Sequence, residues 1–251
     1  MQGGALNDEY GTKEIGKLGD KDYQLLITKN VSPFHQIPLW VEKDKIVNMI
    51  VEIPKNTEYK LEITKNKEHN PIMHDIKNDV VRKVNIAWRD TNKTYPAHYG
   101  ALSQTWENPT HRDTYTNQFG DNDPIDAFDI SSNQAKTGDV KKVKILGVFA
   151  MIDAGETDWK LVCISIDDPK ANQINNLADV EREMPGKLKE IHEFLRDYKK
   201  KTEDDVANEN KFAFEGIPQD RDFAIKIVNE THEEWKKLME NKGVIEKTKD
   251  L

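Results

Sequence analysis

The stretch from Val140 to Ile166, VKKVKILGVFAMIDAGETDWKLVCISI, decides the fold of this chain. Both halves are runs of aliphatic, β-branched and aromatic residues, and the polar DAGET between them carries Gly155 where a tight turn needs it. Two strands joined by a turn are expected. Working outward, YQLLIT (23–28), IVNMIVEI (46–53), YKLEI (59–63) and VVRKVNIAW (80–88) have the same character. Tyr59, Leu61 and Ile63 alternate with Lys60, Glu62 and Thr64, so one strand face is apolar while Lys60 and Glu62 leave together from the other. The period changes after residue 180. Leu188, Ile191, Leu195 and Tyr198 recur at helical spacing, with Pro185 suited to a first turn, and Ala224, Ile227, Val228, Thr231, Trp235 and Leu238 mark a longer amphipathic helix. Strands followed by helices predict an α+β domain with a β-core and helices packed outside it. Its expected limits are residues 21–242, between a polar N-terminal arm at 1–20 and a charged C-terminal tail at 243–251.

Composition narrows the function. With 37 basic and 45 acidic residues among 251, the formal charge is −8, which does not suggest a nucleic-acid footprint. Five Trp, seven Tyr and eight Phe supply bulk for a sizeable core. The single cysteine, Cys163, lies in VCISI and reads as a buried strand thiol, which fits a reducing compartment. No apolar leader opens the chain, and the longest apolar run, LGVFAMI at 146–152, is too short to span a membrane. A cytoplasmic protein without membrane or nucleic-acid partners is the expectation.

The densest acidic motif is GDNDPID, which sets Asp121, Asp123 and Asp126 within six residues and is followed by Asp129. Carboxylates so close repel one another unless a proton, a cation or open solvent relieves them. A solvated turn is the plainest reading of the motif taken alone. An EF-hand loop fails, because counting from Asp121 puts Ile125 at position 5, Asp126 at position 6 and Ser132 at position 12. QFG before Asp121 is a poor strand end for an aspartyl nucleophile, and a glycosidase pair needs only two acids. DAGETDWK adds Asp153, Glu156, Asp158 and Lys160, of which Asp158 and Lys160 share a strand face. EIPKNTEYKLEI adds Glu52, Lys60 and Glu62. Many carboxylates, scattered histidines and one cysteine favour Mg2+ over zinc. Carboxylate-held cations beside Lys and Arg neutralise a polyanionic phosphate substrate and activate water.

These blocks resemble the soluble family I inorganic pyrophosphatases of the eukaryotic type. GDNDPID matches the family pattern D-x-D-P-x-D, and NMIVEIP, LEITK, HYGALSQTWENP, ILGVFAMIDAGETDWK, PGKL, FLRDYK and NKFAFEG follow the family order over about residues 32 to 240. The resemblance implies a five-stranded OB-like closed barrel with peripheral helices, a homodimer, and hydrolysis of inorganic pyrophosphate to two orthophosphates. Several Mg2+ ions per site are implied, with Mn2+ or Zn2+ able to substitute. Asp121, Asp126 and Asp158 would ligate the first metal, Asp126 would be shared with the second, Asp153 and Asp158 would take another, and Glu52 would reach metal through water. Asp123 would be the general base, and Glu62 would hydrogen-bond the metal-bound water. Lys60, Arg82, Tyr99, Lys160, Tyr198 and Lys199 fall at phosphate-contacting positions, so Tyr99 stands with Asp123 and Glu62 in the catalytic group.

The chain departs from the family at Lys55 and Asn56, at Ser103 in place of proline, at Ala154 in place of glutamate, and in the acidic KKTEDDVAN after the YK pair. Two other functions stand beside the first. One is a metal-dependent hydrolase of organic di- or polyphosphates, for which no base- or sugar-binding feature is evident. The other is a non-catalytic module binding divalent cations, which would have no use for a general base at Asp123.

Overall fold

The computed structural model describes residues 10–84 and 94–249, with the side chains of the final helix described as far as 241. The strands in chain order begin with β1 (Thr12–Ile15), β2 (Gln24–Ile27), β3 (Trp40–Glu42), β4 (Ile46–Ile53) and β5 (Leu61–Ile63). Next come β6 (Ile72–His74), β7 (Ile76–Lys77), β8 (Val80–Val81), β9 (His98–Leu102) and β10 (Phe119–Gly120). The last are β11 (Asp126–Asp129), β12 (Val140–Asp153), β13 (Glu156–Ser165) and β14 (Lys211–Phe212). The helices are α1 (Leu177–Glu183), α2 (Lys187–Asp197) and α3 (Arg221–Lys249).

The expected pair of strands at 140–166 is the β12–β13 hairpin, closed by Asp153 opposite Glu156. Ala154 and Gly155 between them both have positive φ, 51° and 92°, as a two-residue turn of the twisted hairpin type requires. Around this hairpin β13 pairs with β11, β11 with β9, β9 with β4 and β4 with β12, so five strands close into a ring. The β11–β13 contact is parallel and the others are antiparallel. A smaller sheet, β1-β2-β6-β5, packs beside the ring, and β1 shows that part of the expected arm is an edge strand. The protein is thus a β-rich α+β fold with three helices among the described residues.

A bulge between Ile145 and Gly147 reverses the alternation of β12: Val143 and Ile145 share one hydrophobic cluster with Val148 and Ala150, whereas Leu146, Phe149 and Met151 belong to the other. Only glycine fits at 147, since a Cβ there would approach Leu177 and the Gln219 carbonyl to within 2.7 Å. Trp159, Leu161 and Cys163 of β13 cluster with Ala224, Ile227 and Val228 of α3. Val162 and Ile164 face the cluster that holds Leu188, Ile191, Phe194 and Leu195 of α2. Both faces of the ring strands are therefore buried, which explains the nearly unbroken apolar run of β12. Pro185 lies in the break between α1 and α2 rather than inside a first turn, with Gly186 at φ 80° redirecting the chain. Of the predicted 80–88 strand, Val80–Val81 pairs with β7, Lys83 bridges to Tyr59, and residues 85–88 lie outside the described residues.

Candidate active site

The even-numbered residues of β13 carry the second cluster's face to the end of the hairpin, where Asp158 and Lys160 replace the apolar side chains of Val162 and Ile164. They open onto a cleft of about 250 Å3. From β4 comes Glu52, whose Oε1 accepts the Ile63 amide at 2.7 Å and so ties β5 to the ring. The period-two pattern holds at β5: Lys60 Nζ lies 2.7 Å from Glu62 Oε2. β9 contributes Tyr99, and the end of α2 contributes Tyr198 and Lys199, which hold the two carboxylate oxygens of Asp153 at the hairpin turn; the Tyr198 bond is 2.8 Å. Between β10 and β11 the chain leaves the ladder as the loop bearing Asp121 and Asp123, where Asp121 Oδ1 accepts the Asp123 amide at 2.9 Å. All the site residues expected from the sequence line the cleft except Arg82, which stands behind Lys60. Asp75 Oδ2 accepts both Arg82 Nη1, at 2.5 Å, and Lys60 Nζ, at 2.8 Å. His98 is buried away from the chemistry, with Nδ1 accepting the Lys55 amide at 3.0 Å.

Eight carboxylates against three lysines line this cleft. Lys160 is shared between Asp126 and Asp158, and Asp126 also accepts the Tyr99 hydroxyl. The acids feel the imbalance. Burial, outweighing the pull of Lys160 and aided by Asp126, raises the Asp158 carboxyl to about 7. Burial and then Asp158 push Asp121 well above the ordinary carboxylate range, and burial followed by Asp126 does the same to Glu52. Asp123 is raised by burial despite its pairing with Lys65. Asp153 goes the other way: burial opposes ionisation, yet Lys199 and Tyr198 hold its carboxyl low.

One residue of the cluster was not singled out by the sequence. Glu107 is buried at 3% exposure, and its Oε1 accepts the Trp159 amide at 2.9 Å. It fills the gap in the β13 ladder that the departing aspartate loop leaves between β10 and β11. Its backbone also anchors that loop, donating to Asp123 O at 2.8 Å and accepting from Asn122 N at 2.9 Å. Within QTWENP an acid beside Asn-Pro reads as a surface turn, so no local signal marked it. Ligand oxygens of Glu107, Asp121 and Asp158 lie within 4.8 Å of one another, and Glu107 Oε2 is buried without a hydrogen-bond partner. An all-carboxylate set with an orphaned oxygen and raised carboxyls fits a hard divalent cation. A larger cavity of about 610 Å3 lies behind Glu107, lined by Trp106, Thr157, Trp159 and Ile227. It receives the odd-numbered side chains of β13 and lacks the aspartate loop.

The sequence profile of the inorganic pyrophosphatases matches residues 49–236, a span that includes the cleft from Glu52 to Lys199. The chain belongs to the inorganic pyrophosphatase family. The enzyme is 50% identical over 240 residues to the inorganic pyrophosphatase of Dictyostelium discoideum, covering 94% of this chain and 82% of that protein. It is 44% identical over 234 residues to that of Zygosaccharomyces bailii, covering 92% and 80%. Among solved structures, the inorganic pyrophosphatase of Schistosoma japonicum superposes with a TM-score of 0.85 at 41% identity, covering 91% of this chain and 80% of that one. The N-terminally truncated vacuolar soluble pyrophosphatase of Trypanosoma cruzi, solved in complex with PPi, gives 0.83 at 37% identity and 92% coverage of both chains. This enzyme is therefore an inorganic diphosphatase, and none of its described helices is long and apolar enough to cross a membrane.

Proposed function

We propose that the cleft is where the enzyme hydrolyses inorganic pyrophosphate, and that its metal is Mg2+. The observation that carries this reading is the meeting of the aspartate loop, the hairpin acids and three lysines in one cleft inside the family-matching span. Asp121, Asp158 and Glu107 would hold Mg2+, with Asp126 beside them, and Asp153 and Glu52 would offer carboxylates to further ions; the closeness of the first three supports this. Bound Mg2+ supplies charge neutralisation and a lowered pKa for the attacking water. Asp123 accepts that water's proton through Oδ2, since Lys65 engages Oδ1. Glu62 orients the water by hydrogen bonding. Lys60, Lys160 and Lys199, with the phenols of Tyr99 and Tyr198, bind phosphate oxygens and stabilise charge on the departing orthophosphate. Arg82 joins them through the carboxylate of Asp75 that it shares with Lys60.

The closed five-strand ring supports an OB-like barrel. We read residues 21–242 as one domain in a homodimer, and the buried free thiol of Cys163 supports a reducing, cytoplasmic setting. The test is orthophosphate release from pyrophosphate with Mg2+, compared with EDTA, with Asp123→Asn and with ATP as substrate. Rapid Mg2+-dependent release from pyrophosphate that disappears in Asp123→Asn is expected. Full turnover in that variant would remove Asp123 from the mechanism, and faster hydrolysis of ATP would make the enzyme a broader polyphosphatase.

A further inference from the structure

Each lysine lining the cleft is held by carboxylates: Lys60 by Glu62 and Asp75, Lys160 by Asp126 and Asp158, and Lys199 by Asp153. Lys65 repeats this arrangement at the mouth, with Nζ 2.5 Å from Asp123 Oδ1. Its backbone is fixed. It follows β5 three residues after Glu62, at the base of a loop closed by the Thr64 amide on Pro71 O at 3.0 Å and by Asn70 Nδ2 on Thr64 O at 2.9 Å. Asn70 is buried and accepts the Ser32 hydroxyl at 2.7 Å. The side chains of Lys65 and Asp123 are 32% and 40% exposed, so the ammonium sits beside the cleft that Asp123 lines and is reached by solvent.

We infer that Lys65 is a further phosphate-binding residue, whose ammonium pairs with Asp123 and turns to a phosphate oxygen of bound pyrophosphate or departing orthophosphate. A half-buried pair between single charges that solvent still reaches is replaceable, whereas a pyrophosphate offers several charges to the same ammonium. The ammonium has three donors, so it can contact phosphate while one hydrogen still points to Asp123. No bond is made or broken in this exchange.

The inference rests on the cleft being the hydrolytic site, so Asp123→Asn is measured in parallel. Steady-state hydrolysis of pyrophosphate at fixed free Mg2+ and calorimetric binding of inorganic orthophosphate are compared for wild type, Lys65→Gln and Lys65→Arg. Lys65→Gln is expected to raise KM and to weaken orthophosphate binding, each about tenfold, with kcat changed less than about threefold. Lys65→Arg, which keeps the charge, is expected to restore both to within about threefold. If Lys65→Gln leaves KM and orthophosphate affinity within about twofold of wild type, or lowers kcat alone, Lys65 serves Asp123 and not phosphate. Full activity of Asp123→Asn would overturn the reading of the cleft itself, whatever the Lys65 variants do.

Discussion

Asp126 and Asp129 stand three residues apart on β11, and both pair with a lysine. Asp129 is wholly buried and fully served. Its Oδ1 accepts the amides of Ser131 at 3.0 Å and Ser165 at 2.9 Å, while Oδ2 accepts the Ser131 hydroxyl at 2.8 Å and Lys141. Asp126, at the cleft end, shares its lysine with Asp158 and its surroundings with seven other carboxylates. A carboxylate with a donor for each direction is a structural part, whereas carboxylates outnumbering their donors form a cluster that could hold a cation.

Asp126→Asn is expected to cut pyrophosphate turnover on the order of 10³-fold, while its melting temperature stays within about 4 °C of wild type. Turnover within tenfold of wild type would erase the distinction between the two ends of β11. At the other end, Asp129→Ala leaves the largely enclosed Lys141 ammonium with Ser131 Oγ alone and is expected to cost about 3 kcal/mol, seen as a lower urea midpoint. Activity per folded molecule should survive in that variant; its loss would place Asp129 in the site.

At Asp158 the same surplus of acid makes stability depend on pH. Its carboxyl sits at about 7 in the fold against 3.8 for an ordinary aspartate, so the metal-free fold binds that proton more tightly than the unfolded chain does. The resulting stability is full below 3.8 and is lost as pH rises through about 7. Metal-free wild type should therefore lose melting temperature across that window relative to Asp158→Asn, and Mg2+ should remove the difference. Parallel curves without metal would contradict the raised carboxyl. The smallest effect concerns Ser103, whose hydroxyl is fully buried and unpartnered at a position where the family has proline. Ser103→Ala is expected to stabilise by about 1 kcal/mol in urea unfolding, with turnover unchanged; a loss of stability would mean that the hydroxyl has a partner such as ordered water.

Much of the site was legible because it is local. Asp121, Asp123 and Asp126 lie within one loop and strand start, and Asp158 with Lys160, like Lys60 with Glu62, obeys the two-residue period of a strand. The hairpin was legible because Gly155 and the flanking apolar runs describe a turn between strands. The short helix α1 and the edge strand β1 were not, since neither is long enough for its period to stand out.

The hairpin β12–β13, the strands β2, β4 and β5, the two longer helices and the acidic character of the site could be read from the sequence, because propensity, periodicity and residue type act over a few residues, whereas the short ring strands β9 and β11 could not. Only the tertiary structure decided that Asp129 belongs to the scaffold, that Arg82 stands behind Lys60, and that Glu107 completes the cluster with Asp121 and Asp158. Those assignments depend on which donors meet which acceptors across segments far apart in the chain; the pairing of β13 with β11 and β12 gathers the acids, and the small sheet with β7 and β8 sets Asp75 between Lys60 and Arg82.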